Sequence, residues 1–313
     1  MSLKMLIFWT SYIWFPFVIL AVFGVWKWRG AKRWLAVLAI IVSLPLAWAR
    51  FVEPQMLLVK ETEIDIRRDL MEGGATIRVA LFSDTHFGIF NNAKSMQRIV
   101  DRTNAERVDA VFIAGDFLYE LPKEDVASAL APLAKADSPV FAVMGNHDVG
   151  FPGPLYGEAI YGGLRRLGVT LVENRSFELV LNGVPVIVTG TSDLWEGRQN
   201  YDFKSNLPEG VPVILLTHNP DTALRVPNNF DFDLMLAGHT HGGQIRIPLP
   251  GITQSVIPTQ YPFDTGLHHV PRPGPDGPRR VFVTPGTGMV GLPMRFRRPP
   301  RVDILTLRID DTG

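Results

Sequence analysis

Three features of the sequence predict a layered α/β fold with mixed sheets behind one or two membrane helices. From about Phe51 onward, short apolar runs alternate with stretches of helical spacing and then give way to consecutive strands. Five of those runs end in polar clusters rich in His and Asp. The first fifty residues hold two long runs without a charge.

Met5 to Trp26 is 22 residues without a charged side chain. As a helix it spans roughly 33 Å, enough for a bilayer core of about 30 Å. Trp34 to Ala49 is a second run of 16 residues and contains Pro45, with Arg33 and Arg50 placed to snorkel at its ends. Trp26, Trp28, Trp34 and Trp48 lie near the run ends, where indoles favour the interface. Residues 1–52 are therefore expected to form an anchor, with helices at about 5–26 and 34–50, and residues 53–313 the soluble domain. The apolar run upstream of Ala47-Trp48-Ala49 is too long for a simple signal peptide. Lys27, Arg29, Lys32 and Arg33 place the linker in the cytoplasm by the positive-inside rule. If both runs span, the domain emerges on the outer face; if only the first spans, it stays in the cytoplasm. The expectation leans to two spans and a periplasmic domain on a bacterial inner membrane.

Along the domain, Met56 to Ile66 alternates as a strand and Ile77 to Phe82 is a buried strand. Ala93 to Glu106 has helical spacing, with Met96, Ile99 and Val100 on one side. Ala110 to Ala114 is a strand, Lys123 to Lys135 a helix opened by Pro122, and Val140 to Met144 a strand. Leu155 to Leu167 is a helix. Val169 to Val172, Phe177 to Leu181 and Val184 to Val188 form a meander with Asn182-Gly183 as a tight turn. Val213 to Leu216 and Leu234 to Ala237 are short buried strands, and Val281 to Thr284 and Val302 to Ile309 close the chain. Pro271 to Pro278 is a Pro/Gly-rich loop.

Composition narrows the chemistry. The 313 residues balance 31 Lys and Arg against 31 Asp and Glu, so no bulk attraction to nucleic acid is expected. With no cysteine, disulfides and thiolate metal sites are excluded. Any metal must be held by His, Asp, Glu, Asn or water.

The strand ends supply such ligands. Ile77–Phe82 runs into Ser83-Asp84-Thr85-His86, and Val111–Ala114 into Gly115-Asp116. Val140–Met144 leads to Gly145-Asn146-His147-Asp148, Val213–Leu216 to Thr217-His218-Asn219, and Leu234–Ala237 to Gly238-His239-Thr240-His241. Sites in α/β sheets form outside the carboxyl ends of the strands, so these five ends can deliver their polar residues to one region. Five of the seven histidines fall in these motifs. One Asp-x-His alone would be weak; five in order, each behind an apolar run, argue against accident. Gly115, Gly145 and Gly238 each precede a polar candidate, where glycine allows a sharp turn and close backbone approach.

This set, Asp84-x-His86, Gly115-Asp116, Gly145-Asn146-His147-Asp148, His218 and Gly238-His239-x-His241, resembles the calcineurin-like metallophosphoesterase superfamily. The apolar N-terminus and Gly238 to Gln244 are most similar to its bacterial membrane-associated phosphodiesterases, a branch with proteins similar to UDP-2,3-diacylglucosamine pyrophosphatases. The resemblance implies a four-layer αββα sandwich of two mixed sheets. It implies that Asp84, His86 and His241 hold one metal, Asn146, His218 and His239 the other, and Asp116 bridges both. His147 would contact the phosphate and leaving-group oxygen as the catalytic residue. Two divalent cations, two carboxylates and a bridging hydroxide leave a charge of about +1, which favours an anionic phosphate. The nitrogen and oxygen donors suit Mn, Fe, Zn, Co or Ni better than Mg or Ca. The expected reaction is hydrolysis of a phosphodiester or pyrophosphate bond, in a phosphate-containing small molecule or a lipid met at the membrane; the alternatives are a phosphomonoesterase and a non-catalytic membrane scaffold.

Other signals carry two readings each. Asp148 either orients His147 or a ligand, or is a turn carboxylate. His268 and His269 read as exposed loop histidines. Arg295, Arg297, Arg298 and Arg301 either contact anionic headgroups or a diphosphate, or line a solvated loop. Trp195 to Tyr201 either lines a substrate cleft or is a surface loop.

Overall fold

The computed structural model describes residues 3–67, 75–202, 210–247, 257, 259–272 and 277–310. Helix α1 (Leu3–Thr10) passes through a 3-10 turn into α2 (Trp14–Lys27), so Leu3–Lys27 is helical over 25 residues. Gly30, at φ +59°, reverses the chain into α3 (Ala31–Ala47), which continues through a wider π turn to Gln55. Both stretches are long and apolar enough to cross a membrane. They pack through the small residues Ala21, Gly24, Ala36 and Ser43, which lets the backbones approach closely. Their outer faces leave Ile19, Leu20, Trp34 and Leu35 exposed.

The second helix runs past residue 50 because the charges that end its apolar run are buried and partnered. Arg50 Nε donates to Ser11 Oγ at 2.8 Å, and its guanidinium lies 4.8 Å from the Phe8 and Phe51 ring centroids. Glu53 accepts from Trp48 Nε1 at 3.0 Å and from the Arg298 amide at 2.5 Å. That last bond joins the helix to the domain.

The domain is built on two six-stranded mixed sheets and a two-stranded ribbon of β3 (Phe87–Gly88) and β5 (Leu118–Tyr119). The first orders β1 (Leu58–Arg67), β14 (Arg301–Asp310), β2 (Ala75–Phe82), β4 (Ala110–Ala114), β6 (Val140–Val143) and β7 (Thr170–Leu171), with only the β14–β2 pair antiparallel. The second orders β12 (Gly266–Val270), β13 (Arg279–Val283), β11 (Leu234–Ala237), β10 (Val213–Leu216), β9 (Val184–Gly190) and β8 (Arg175–Leu181), antiparallel only at its two edges. Val79, Leu81, Phe112 and Val143 of one sheet meet Val186, Val188, Ile214 and Leu216 of the other in the central core. Because both faces of these strands are covered, they read as continuous apolar runs.

The outer face of the first sheet packs Ala80, Phe82 and Ile113 under α4 (Ala93–Ala105), α5 (Val126–Leu130) and α6 (Gly157–Arg166). Met96, Ile99 and Val100 form the buried side of α4, as their spacing predicts, and the Asn92 side chain caps its start by accepting from the Lys94 amide at 3.0 Å. On the outer face of the second sheet, the fourth layer among the described residues is a 3-10 turn (Pro220–Leu224) with Phe230, Phe232 and Phe263.

Local departures have physical reasons. The helix predicted over Lys123–Lys135 is α5 flanked by 3-10 turns, because Pro132 has no amide to continue the α ladder. His268 and His269 lie on strand β12, opposite Val281 and Arg280, and not in a loop; His268 is half-buried with its ring 5.3 Å from that of Phe263. Of the loop predicted at Pro271 to Pro278, residues 273–276 lie outside the described residues.

Candidate metal centre

Strands β2, β4 and β6 run parallel in one sheet and β10 and β11 parallel in the other, so their carboxyl ends gather at one edge of the sandwich. Backbone bonds tie the loops that follow. The Asp84 amide donates to the Gly115 carbonyl at 2.9 Å, the Gly238 amide to the His218 carbonyl at 3.0 Å, and the His239 amide to Asp84 Oδ2 at 3.0 Å. All three predicted glycines are sterically required: Gly115, at φ +78°, has the backbone of Met144 and Gly145 where a Cβ would lie. A Cβ on Gly145 would strike the Asp116 carboxylate, and one on Gly238 would strike Ser83 Oγ and lie 2.7 Å from Asp84 Oδ2.

All eight predicted residues come together, and all are buried. His86 Nε2 lies 3.0 Å from His241 Nε2, and His241 Nε2 lies 3.5 Å from Asp84 Oδ1. Beside this group, Asn146 Oδ1 lies 3.0 Å from His218 Nε2 and 2.9 Å from His239 Nδ1. Asp116 Oδ2 stands between the two groups, 3.6 Å from His86 Nε2 and 3.3 Å from His218 Nε2. His147 sits at the edge, its ring centroid 5.1 Å from that of His86, and its amide donates to Asp116 Oδ1 at 2.9 Å.

Backbone conformation marks the same residues. Asp84, His86, Asp116, His239 and His241 all have φ between +45° and +69°. For residues other than glycine this left-handed region costs on the order of 1 kcal/mol or more each, and the surrounding loops hold it.

The donor set fits metal ions. Two imidazole nitrogens facing each other at 3.0 Å can share one proton at most, so at least one presents a lone pair. Asp84 Oδ1, inside the first group, is buried without a hydrogen-bond partner. Metal–nitrogen bonds of about 2.1 Å give donor–donor edges of about 3.0 to 3.4 Å in octahedral or tetrahedral shells, close to the separations found. Orientation is also set from outside. Asn146 Nδ2 donates to the Phe151 carbonyl at 2.5 Å, which leaves Oδ1 facing the imidazoles.

Burial holds the His86 and His239 pKa values down to about 3 and His241 well below the usual value, keeping these rings neutral as ligands require. Burial pushes Asp84 up to about 7, opposed by His218. At His218 burial acts downward, but Asp116, Asp84 and Asp193 together outweigh it and raise the group well above its ordinary value. A divalent cation would take the place of that proton.

The residue pattern is matched by the calcineurin-like phosphoesterase family profile over residues 77–243. The chain belongs to that family. Calcineurin-like phosphoesterases use a dinuclear divalent metal centre, and the chain is a hydrolase of phosphoric esters. The metallophosphoesterase YkuE of Bacillus subtilis (strain 168) is 28% identical, over 90% of this chain and 96% of that protein. Phosphodiesterase YaeI of Escherichia coli (strain K12) is 29% identical, over 75% of this chain and 84% of that protein. A transmembrane protein with metallophosphoesterase domain from Danio rerio is 30% identical, over 87% of this chain and 62% of that protein.

Around the phosphoesterase centre the structure resolves the double readings. Asp148 neither orients His147 nor faces water; its carboxylate accepts the amides of Phe117 at 3.0 Å, Leu118 at 3.2 Å and Gly145 at 2.9 Å, clamping the Asp116 and Asn146 loops together. Arg295 is fully buried and donates to the carbonyls of Gly288, Arg298 and Pro285, so it holds a loop and contacts no headgroup. Arg298 pairs with Asp264 at 3.0 Å and Arg301 with Asp303 at 2.8 Å, leaving Arg297 as the exposed member of the cluster. Trp195 is 45% exposed with its ring 4.9 Å from His239, at the rim of the site.

Two neighbours were missed in the sequence. The loop Gly286–Gly288 lies on the Asp84 turn, with the Gly288 amide donating to the Asp84 carbonyl at 2.7 Å. Glycine soon after a buried strand, as at Gly115 and Gly238, was the signal available for it. Tyr119, buried with its ring 5.3 Å from both His86 and His147, follows Gly115-Asp116 by only a few residues but carried no pattern of its own.

Proposed function

We propose that this phosphoesterase hydrolyses a phosphodiester or pyrophosphate bond in an amphiphilic substrate met at the membrane. The observation that carries the reading is the double cluster itself, two donor groups that meet at the carboxylate of Asp116. In this reading Asp84, His86 and His241 would hold one divalent ion, Asn146, His218 and His239 would hold the other, and Asp116 would be shared between them. The bound ions supply Lewis-acid polarisation of phosphoryl oxygens and lower the pKa of water. The protein fixes the donors and, through burial, excludes bulk water. His147, not part of either donor group, hydrogen-bonds the phosphate and meets the charge that develops on the leaving oxygen. The phosphodiesterase name of the Escherichia coli relative supports a diester over a monoester.

The anchor reading takes residues 1–52 as membrane-inserted and 53–313 as catalytic. Support comes from the exposed apolar faces of both helices and from the transmembrane relative. Lys4 pairs with Glu120 and Glu53 bonds Arg298, so both outer ends of the helical hairpin meet the domain. The turn carrying Lys27, Arg29, Lys32 and Arg33 then lies at the far end. With that basic turn in the cytoplasm, the catalytic domain sits on the outer face of a bacterial inner membrane. A topology reporter fused after Gly313 tests this; activity of a cytoplasmic reporter alone would reject it.

The activity test is release of p-nitrophenol from bis-p-nitrophenyl phosphate by full-length protein with Mn²⁺, compared with the monoester. Metal-dependent cleavage favouring the diester is expected. A folded protein inactive with Mn²⁺, Fe²⁺, Zn²⁺, Co²⁺ and Ni²⁺ would refute the reading.

A further inference from the structure

Trp195 is the one tryptophan outside residues 1–52, so an anchor in the bilayer does not account for it. It stands on a turn that follows strand β9 beside the metal centre. Its ring is 45% exposed and meets the His239 ring edge-on, with the centroids 4.9 Å apart.

The loop that carries this ring is tied down. The Asn174 side chain reaches it at three residues: Nδ2 donates to the Arg198 carbonyl at 3.0 Å, and Oδ1 accepts the amides of Ser192 at 3.3 Å and Asn200 at 3.0 Å. Asn174 does so from φ +52°, a conformation that asparagine tolerates better than most residues. Within the loop, the buried Asp193 accepts the Trp195 amide through Oδ1 at 2.8 Å. Core packing does not explain the indole, because nearly half of it is left to solvent and gains nothing from burial there. A ring held rigid yet open loses little entropy when a ligand covers it.

The placement of Trp195 relative to His147 says which part of a substrate that is. His147 and Tyr119 stand beside His86, in the donor group of Asp84, His86 and His241. Trp195 stands beside His239, in the group of Asn146, His218 and His239. A phosphoryl group bound between the two donor groups therefore has one wall at His147 and another at Trp195. In the phosphoesterase reading His147 meets the leaving oxygen, which leaves Trp195 to the ester group that stays on phosphorus.

We propose that Trp195 sets the preference for diesters, its open ring face packing on the retained ester group, a flat apolar substituent. This rests on the phosphoesterase reading above and adds to it the residue that separates a diester from a monoester, whose phosphorus carries no second organic group. Asn174 and Asp193 position the ring, and Trp195 takes no part in bond cleavage.

The test uses the full chain, Mn²⁺-loaded, in detergent micelles. Two diesters share one leaving group, bis-p-nitrophenyl phosphate and methyl p-nitrophenyl phosphate, and p-nitrophenyl phosphate is the monoester. Trp195→Ala is expected to lower kcat/KM for the first by about tenfold, chiefly through KM, and for the other two by less than about threefold. Trp195→Phe restores most of the loss, and metal content by elemental analysis stays at the wild-type level. Equal loss on both diesters, no loss on the first, or loss of metal overturns the proposal; the last would make Trp195 a prop for His239. Thermal melting identifies a variant that fails to fold, and Trp195→Leu then replaces Trp195→Ala. A wild type that cleaves none of the three esters rejects the phosphoesterase reading, and isothermal titration then decides this inference alone. It compares diphenylphosphinate with methyl(phenyl)phosphinate, monoanions that differ only in the second ring. A wild-type preference for the first that Trp195→Ala abolishes keeps Trp195 as the ring-binding wall, and no such preference overturns it.

Discussion

His218 donates its Nδ1 proton to the carbonyl oxygen of Ala114 at 2.7 Å, joining the two sheets across 104 positions of sequence. A carbonyl can only accept, so Nδ1 keeps its proton, and Nε2, which faces Asn146 and Asp116, is the nitrogen left to a metal ion once its own proton is displaced. His218→Gln is expected to lower bound metal from about two ions per chain to one or fewer, and to cut diester cleavage by at least ~10²-fold. Elemental analysis alongside the rate assay checks both. Full metal content in an inactive variant would show that His218 acts on substrate and not on metal.

Asp148 works one step further out, by accepting three amides from the loops that carry Asp116 and Asn146. Asp148→Asn keeps the volume but replaces one acceptor oxygen with a donor that faces those amides. Stability should fall by roughly 1–3 kcal/mol, and Mn²⁺ affinity by ~10-fold or more as the loops loosen. Urea unfolding and Mn²⁺ titration of the same preparation would separate the two effects. A variant with wild-type metal affinity would show that the clamp serves folding alone.

These cases show what sequence could and could not reveal. Strands β4, β10 and β11 are short buried runs with polar residues straight after them, so their bounds and the residues they deliver were legible locally. Asp84, Asp116 and His218 could be named for the same reason. Their partition around Asp116 rested on resemblance, because distances between loops more than a hundred residues apart leave no trace in spacing. Arg295 looked like surface charge because nothing nearby in sequence shows that it is enclosed by the carbonyls of Gly288, Pro285 and Arg298. The Lys4 pairing is hidden in the same way: Glu120, its partner, lies 116 positions away.

Arg295 offers a contrast between two roles for a basic residue. Its guanidinium satisfies three backbone carbonyls of the 285–298 segment, which packs on the Asp84 turn. Arg295→Met would leave those carbonyls without a donor, at a cost of roughly 3 kcal/mol, and the melting temperature should drop in detergent with no lipid present. A headgroup-binding arginine would behave in the opposite way, keeping its melting temperature and losing affinity for anionic vesicles.

Glu173 carries a pH-dependent liability outside the metal donors. Its Oε1 accepts the Met144 amide at 2.9 Å, just before the Gly145-Asn146 turn. Burial pushes its pKa from 4.5 up to about 7; the Met144 amide opposes the shift, and Glu196 and Asp193 add to it. Between those two values the folded chain keeps a proton that the unfolded chain has released, so the folded state binds more protons and stability falls as pH rises through the window. Glu173→Gln retains an acceptor for the amide and has no charge to desolvate. At pH 8 the variant should therefore be more stable than wild type, by roughly 1–3 kcal/mol after allowing for partial exposure. Below about pH 4 the two should converge, because both states of the wild type are then largely protonated. Melting curves at pH 5 and pH 8 measure the difference, and the same offset at both values would mean that the carboxylate is solvated in the folded protein.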